Sequence, residues 1–423
     1  MEAGFGDVLE IGSVVILVGL TVLLLMVHRE LGPFAGLAAG GRWLLSAAFG
    51  LGIMAFAFKL AVAAVITGQP ELFHAAPRPV AALRDDAAPF PNPAPPLPGR
   101  YVWEALPAAA PAPADNPTTP ARVALGQRLF AETRLSGDGT LTCASCHDLQ
   151  AKAGADGRPT ATGARGQVGD RNTPTVWNAA FQSRLFWDGR APSLEAQVKG
   201  PILNPIEMAL PSPAEAERRL AVDAGYRAAF AAAFGDERIT FDRIAQAIAA
   251  YERTLVATDT PYDRFVHGDA AALTPAQLRG MALFESVGCV LCHRGPNFSD
   301  ASLLGGDNPY RFFPANETPF ETKYPLLLED GRRGVWRVPS LRNVALTGPW
   351  LHNGSVDRLA EVVRIMAGAQ LGRSEKFIAW LGDDSGLGRI DRSPLAERDV
   401  QDLVAFLEAL SSDTLRRANT GPR

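Results

Sequence analysis

The chain contains four cysteines, Cys143, Cys146, Cys289 and Cys292, and all four fall in two short stretches, "LTCASCHDLQ" and "VGCVLCHRGP". Each pair is spaced Cys-x-x-Cys and runs directly into a histidine, His147 or His293. Cys-x-x-Cys-His is the attachment pattern of c-type haem. The two thiols add across vinyl groups at one porphyrin edge, and the adjacent imidazole reaches the iron from one side. Paired cysteines also serve as redox dithiols or as half of a zinc site. Two copies that both continue into histidine, with no other cysteine in the chain, favour two covalent haems.

The sixth iron ligand then decides the chemistry. A second axial ligand favours electron transfer, and an open position favours reaction with peroxide or oxygen. Beyond the two proximal histidines, the body of the chain offers His267 and His352, and the methionines Met208, Met281 and Met366.

The elements that must carry these residues read mainly as helices. Gly-x-x-Leu-Phe precedes both cysteine pairs (Gly126, Leu129, Phe130; Gly280, Leu283, Phe284), a weak internal repeat that points to a duplicated helical module. Ser212 with Glu215 three residues later starts a helix that runs to Gly235. "TFDRIAQAIAAYERTLV" and "TPAQLRGMALFESVG" are further helices, and Leu359, Val362, Val363 and Met366 share one helical face. No strong strand alternation is present.

The N-terminal part differs in character. Residues 11–27 carry no charge, and Trp43 to Thr67 carry only Lys59, which reads as a snorkelling side chain. These runs predict a two-helix transmembrane hairpin. The loop at 28–42, with Arg29 and Arg42, would be cytoplasmic and the haem domains periplasmic. From Glu71 to Pro120 the chain holds 13 of its 33 prolines, a composition that reads as an extended tether. The expected architecture is therefore a mainly α chain: a hairpin over 1–70, a Pro/Ala-rich tether over 71–117, tandem cytochrome c-like haem domains over 118–265 and 266–412, and a tail over 413–423. A net charge of -4 gives no basic face for nucleic acid.

Five longer motifs carry a resemblance: "RNTPTVWNAAF", "LFWDGRAPSLEAQVKGPILNPIEM", "YERTLVATDTPYDRF", "WRVPSLRNVALTGPWLHNGS" and "MAGAQLG". Over residues 120–410 the chain resembles the bacterial di-haem cytochrome c peroxidase and MauG family. The resemblance implies a peroxidatic first haem on His147 and an electron-accepting second haem on His293, with Met366 as the latter's sixth ligand. A packing role is the plainer alternative for Met366. Glu207 matches the family's distal carboxylate, Gln197 the amide that shares its pocket, and Trp187 the tryptophan between the haems. Asn172, Thr347 and Pro349 match calcium-binding positions, and Arg337, Arg342 and His352 are expected at haem propionates.

One position departs from the peroxidase pattern. Where the family places a distal histidine the chain reads "TATGARGQVGD", with Ala164 or a neighbour in its place, and no histidine occurs between His147 and His267. In this the chain resembles MauG. The implied activity is a membrane-anchored, periplasmic di-haem c peroxidase reducing hydrogen peroxide to water; the alternative is a MauG-type oxidase acting on side chains of a partner protein. The implied electron donor is a small periplasmic cytochrome or cupredoxin, or a membrane quinol or respiratory complex, and a homodimer fits the family.

Overall fold

The structure, a computed structural model, describes residues 19–34, 36, 38–68, 101–306, 308–374 and 394–420. The start of the first apolar run, residues 71–100 of the tether and residues 421–423 lie outside the described residues. The chain divides into two compact units, Met1–Pro77 with Ser374–Ser393, and Arg78–Arg373 with Pro394–Arg423.

In the first unit a helix covers 19–28 and a long helix, α1, covers Ala39–Gly68. Phe34 and Phe49 meet edge to face, 6.5 Å between ring centres. The transmembrane hairpin and the inner-membrane location expected from the sequence are not supported: among the described residues no helix is long and apolar enough to cross a membrane. The described helix at 19–28 is about 15 Å long at 1.5 Å per residue, half a hydrocarbon core.

The second unit is mainly helical and is built around two equivalent helix crossings. In the first half α2 (Pro120–Phe130) packs on the helix that follows a second, α3 (Leu194–Leu203), namely α4 (Phe241–Glu252). After the short α5 (Pro261–Val266), the second half repeats the arrangement with α6 (Pro275–Ser286) against α8 (Glu397–Ala409), with α7 (Leu359–Ile365) between them in sequence. Each crossing closes on a glycine. A Cβ on Gly126 would lie 1.9 Å from the Ala247 carbonyl oxygen, and one on Gly280 would lie 1.9 Å from that of Asp402. Each glycine is followed by the same aromatic contact, Phe130 on Tyr251 and Phe284 on Phe406, at 5.4 and 5.3 Å. Leu125, Leu129 and Ile248 fill the first core, and Leu283, Phe298 and Phe406 the second.

The helix starts follow the local code. Thr119, Ser212, Thr240, Thr260 and Thr274 each accept a hydrogen bond from a backbone N–H of the first turn. The helix expected from Ser212 to Gly235 is two helices, Pro213–Ala221 and Ala224–Phe234. Asp223 breaks it by turning its carboxylate onto the Gly225 N–H, 2.8 Å away. The structure also adds a small antiparallel sheet, β1 (Tyr310–Phe313) against β2 (Gly334–Arg337), too short to show alternation in sequence. Residues 101–117, the end of the Pro-rich stretch, pack onto the body: Leu106 donates its N–H to Asp263, and Trp103 sits among Tyr262, Phe298 and Phe406. Asp413–Thr420 in the expected tail is helical.

The glycine crossings lead to a stability prediction. Gly280→Ala forces backbone apart in a packed core and is expected to cost about 1–3 kcal/mol, the usual range for overpacking. A lowered Tm in thermal unfolding, with unchanged far-ultraviolet circular dichroism at low temperature, is the expected result.

Candidate haem sites

The first cysteine pair forms a one-turn helix, Cys143–Cys146, with the Thr142 N–H donating to Ser145 Oγ at 3.0 Å. The turn carries His147 directly beneath it, its N–H bonded to the Cys143 carbonyl. The ring is oriented by its other nitrogen: Nδ1–H donates to the Gly154 carbonyl at 2.9 Å, which leaves Nε2 as the free lone pair a metal needs. Gly154 holds that carbonyl at φ +79°, where a Cβ would strike Thr175 and Trp177 at 2.9 Å. Burial lowers the pKa of His147, so the ring is neutral, as a ligand must be. Burial also pushes the Cys143 and Cys146 thiols up to about 12 and about 11, far from the reactive thiolate of a redox dithiol. Among the described residues no three His, Cys, Asp or Glu side chains converge.

A cavity of about 550 Å³ opens beside this turn, within the size range of cofactor sites. Cys143, Cys146 and His147 form one part of its wall, and Gln197 on α3 and Glu207 beyond its end form another. Glu207 is half-buried, and its Oε1 accepts a bond from Asn204 Nδ2 at 2.7 Å. Burial raises its pKa above the ordinary carboxylate value. The segment expected to lack the distal histidine is pressed against it. The Ala164 N–H donates to the Glu207 carbonyl at 2.7 Å, and a Cβ on Gly163 would meet the Ile206 carbonyl at 1.8 Å. Ala164 is buried; His267 lies exposed at the end of α5 and does not line the cavity.

Trp187, Trp336 and Arg337 form a further part of the wall. Trp187 donates its indole N–H to the Asn172 carbonyl at 2.8 Å and packs on the same cluster as Met366. Arg337 is buried, and its guanidinium bonds are to the Phe186 carbonyl and Gln182 Oε1. Burial holds its pKa down to about 10. A buried cation with no carboxylate partner, on the wall of a cofactor-sized cavity, fits a propionate.

The second pair is built alike. His293 donates Nδ1–H to the Phe298 carbonyl at 3.2 Å, and burial pushes its pKa down to about 4. Burial raises the Cys289 thiol to about 12. Arg311 lies across this turn, its Nε donating to Cys292 Sγ at 3.1 Å and Nη2 to Asp300 at 2.6 Å. Met366 stands where α7 widens into a single π-turn, Met366–Gln370, closed by the Leu371 N–H on the Met366 carbonyl. Such turns are often found at functional positions.

Residues 120–271 match the family model described as di-haem cytochrome c peroxidase. The chain is 38% identical over 302 residues to the cytochrome c551 peroxidase of Pseudomonas aeruginosa, covering 68% of this chain and 78% of that protein. It is 37% identical over 303 residues to the cytochrome c peroxidase Ccp of Escherichia coli, covering 71% of this chain but only 60% of that longer protein. Among solved structures, a MauG-like protein associated with microbial copper homeostasis superposes with a TM-score of 0.60 at 32% identity, covering 74% of this chain and 95% of the other. The chain belongs to the di-haem cytochrome c peroxidase family.

As a member of this family of oxidoreductases, the chain brings Glu207, Gln197, Trp187 and Arg337 to the cavity that Cys143, Cys146 and His147 share. Arg342 and His352 do not line it. The Arg342 guanidinium is committed to Asp263 at 2.6 Å and twice to the Pro296 carbonyl, beneath the rings of Tyr262 and Phe298. His352 stacks on Trp336 at 4.3 Å and lies 6.4 Å from Trp187; burial pushes its pKa down to about 4. Asn172 donates Nδ2 to the Arg158 and Pro159 carbonyls, and its N–H to His352. Thr347 closes a 3-10 turn, its Oγ bonded to the Val344 carbonyl. The sequence reading missed Trp336, Arg311 and Glu252. Arg311 carries no motif of its own, whereas Trp336 and Glu252 stand inside the stretches beginning WRVPS and YERTL, where their residue types read equally as core and helix-end residues.

Arg342 and Asp263 are both fully buried. Removing one partner of such a pair leaves an uncompensated charge, at a cost of about 3–5 kcal/mol. Arg342→Met is therefore expected to lower urea stability by that amount while both haems are still attached, counted by the pyridine haemochrome spectrum.

Proposed function

We propose that this chain is a di-haem c peroxidase that reduces hydrogen peroxide to water at the first haem with electrons delivered through the second. The observation that carries the reading is Glu207. It is a half-buried carboxyl with a raised pKa, in the cavity beside His147, where the neighbouring loop supplies Ala164 and no imidazole. Cys143, Cys146 and His147 hold the first haem, and Cys289, Cys292 and His293 the second. When bound, the first haem supplies the iron that breaks the O–O bond. Glu207 moves a proton from one peroxide oxygen to the other, so that water leaves. Gln197 donates its amide N–H and orients the peroxide. Trp187, between that cavity and the Met366 cluster, relays electrons.

Met366 would help hold the second haem, and its thioether would raise the potential of the haem that receives electrons. A small cytochrome or cupredoxin is the donor. Arg337 holds a propionate. Asn172, with the carbonyls of Thr347 and Pro349, forms a calcium site of oxygen ligands. The modules are 118–265 and 266–412. The rival reading, a MauG-type oxidase of a partner protein, draws support from Ala164. Sustained peroxide turnover with a reduced small cytochrome separates the two: rapid turnover supports the peroxidase, and a slow rate with oxidised side chains on a partner supports the rival.

Two outcomes follow from the site. Glu207→Gln is expected to keep both haems but slow peroxide cleavage about a hundredfold or more. Glu207 accepts a proton only when ionised, so the wild-type rate rises with pH through a pKa above the ordinary carboxylate range. That limb is absent in the Gln variant; stopped-flow mixing at several pH values measures both.

The second outcome concerns spin state. With no histidine to bind the first iron, the fully oxidised protein is expected to show one high-spin haem on His147 and one low-spin haem on His293 and Met366, and to react with peroxide without prior reduction. An electron paramagnetic resonance spectrum with two low-spin haems, or a strict need for pre-reduction, would overturn it.

A further inference from the structure

Glu252, the last residue of α4, is 5% exposed and lines the cavity beside the first cysteine pair. Its Oε2 is buried without a hydrogen-bond partner. The groups around it explain why. Two carboxylates, Glu252 and Glu195 of α3, share one neighbouring cation, Arg253. Arg253 turns to Glu195, pairing through Nη2. Asn116 reinforces that choice by donating Nδ2 to the same Glu195 oxygen at 2.7 Å, and is itself fixed by Arg122 at 2.8 Å. The Glu195 pKa is lowered as a result, opposed by its own burial. Glu252 is left without a counter-ion, although Arg253 Nη1 is also buried and unpartnered. The other titratable groups facing Glu252 are Cys143 and Tyr251, both uncharged at neutral pH; burial raises both and Glu252 reinforces this. Burial of an unpaired carboxyl favours its neutral form, and the Glu252 pKa is raised to about 8.

We propose that Glu252 is the proton-storing acid of the first haem cavity, taking up a proton from solvent when an electron arrives there and releasing it when the electron leaves. The inference rests on the reading that Cys143 and Cys146 carry a haem. Its physical basis is charge balance. An added electron makes the cavity more negative, and in a buried space that shift is felt strongly by an acid with no cation of its own. The proton compensates it. Reduction thus strengthens proton binding at Glu252, and by linkage a rise in pH through its pKa weakens electron binding. No comparable acid is needed at the second site, where Arg311 already lies on Cys292.

The experiment is a potentiometric titration of the full-length holoprotein, following the haem held by His147, from about pH 7 to about pH 9, the window that the raised pKa sets. Haem-peptide mass spectrometry first confirms attachment at Cys143 and Cys146; its failure would overturn the haem reading itself. With the haem in place, the expected potential falls steadily as pH rises in the wild type and is flat in Glu252→Gln. A wild-type potential independent of pH, as an Arg253-paired, permanently ionised Glu252 would give, overturns the proposal. So does a slope that survives in the Gln variant. Should Glu252→Gln fail to retain haem, Glu252→Asp decides: its shorter acid displaces the pH window if the carboxyl is the proton site, and an unchanged window overturns it.

Discussion

Two helices that must touch backbone to backbone set the frame for each site. At Gly126 and at Gly280 the crossing leaves no room for even a methyl group. The contact fixes the separation of the paired helices, and their aromatic residues then lock it from the next turn. Each cysteine pair follows one of these helices, and Cys143 and Cys289 pack against the core that the crossing creates. The histidines are placed by a second rule, a carbonyl aimed at Nδ1. Scaffold and ligand orientation are therefore common to both halves, and the later segments add different residues: Glu207 and Gln197 to the wall of the first cavity, and a π-turn that begins at Met366.

The buried charges follow a consistent pattern. Arg342 is satisfied within the protein by Asp263 and Pro296 and serves the fold. Arg337 has no acid partner and faces the cavity. Glu252 has no cation and faces the same cavity. Burying an unpaired charge is costly, so the imperfectly satisfied groups mark where the protein interacts with something other than itself.

Much of this was legible in the sequence, and what was not has a physical reason. The Cys-x-x-Cys-His motifs, the repeated Gly-x-x-Leu-Phe and the Thr and Ser caps are local patterns, readable within a few residues. The break at Asp223 is also local, but the apolar spacing on either side reads as one helix. The partner of Arg342 lies 79 residues away and that of Arg253 lies 58; such pairings exist only after folding. The N-terminal runs were read as spans from their lack of charge, whereas among the described residues no helix is long and apolar enough to cross a membrane. Residues 101–117 looked like free chain by composition, yet proline-rich segments pack well when anchored by single aromatic and polar side chains.

That anchored segment bears on the order of assembly. Glu104 and Leu106 bond to residues 158 and 157 positions downstream, and Trp103 nests against Phe406, near the far end of the chain. Contacts of such sequence separation close late, because their loop entropy must be met before they return anything. During synthesis the segment leaves the ribosome among the earliest parts of the body, but its binding groove is completed only when α8 has been made. Until then Trp103 has Tyr262 and Phe298 beside it but lacks Phe406, the ring that completes its pocket. The strap is thus built first and seated last, and its docking reports that both halves of the body are in place.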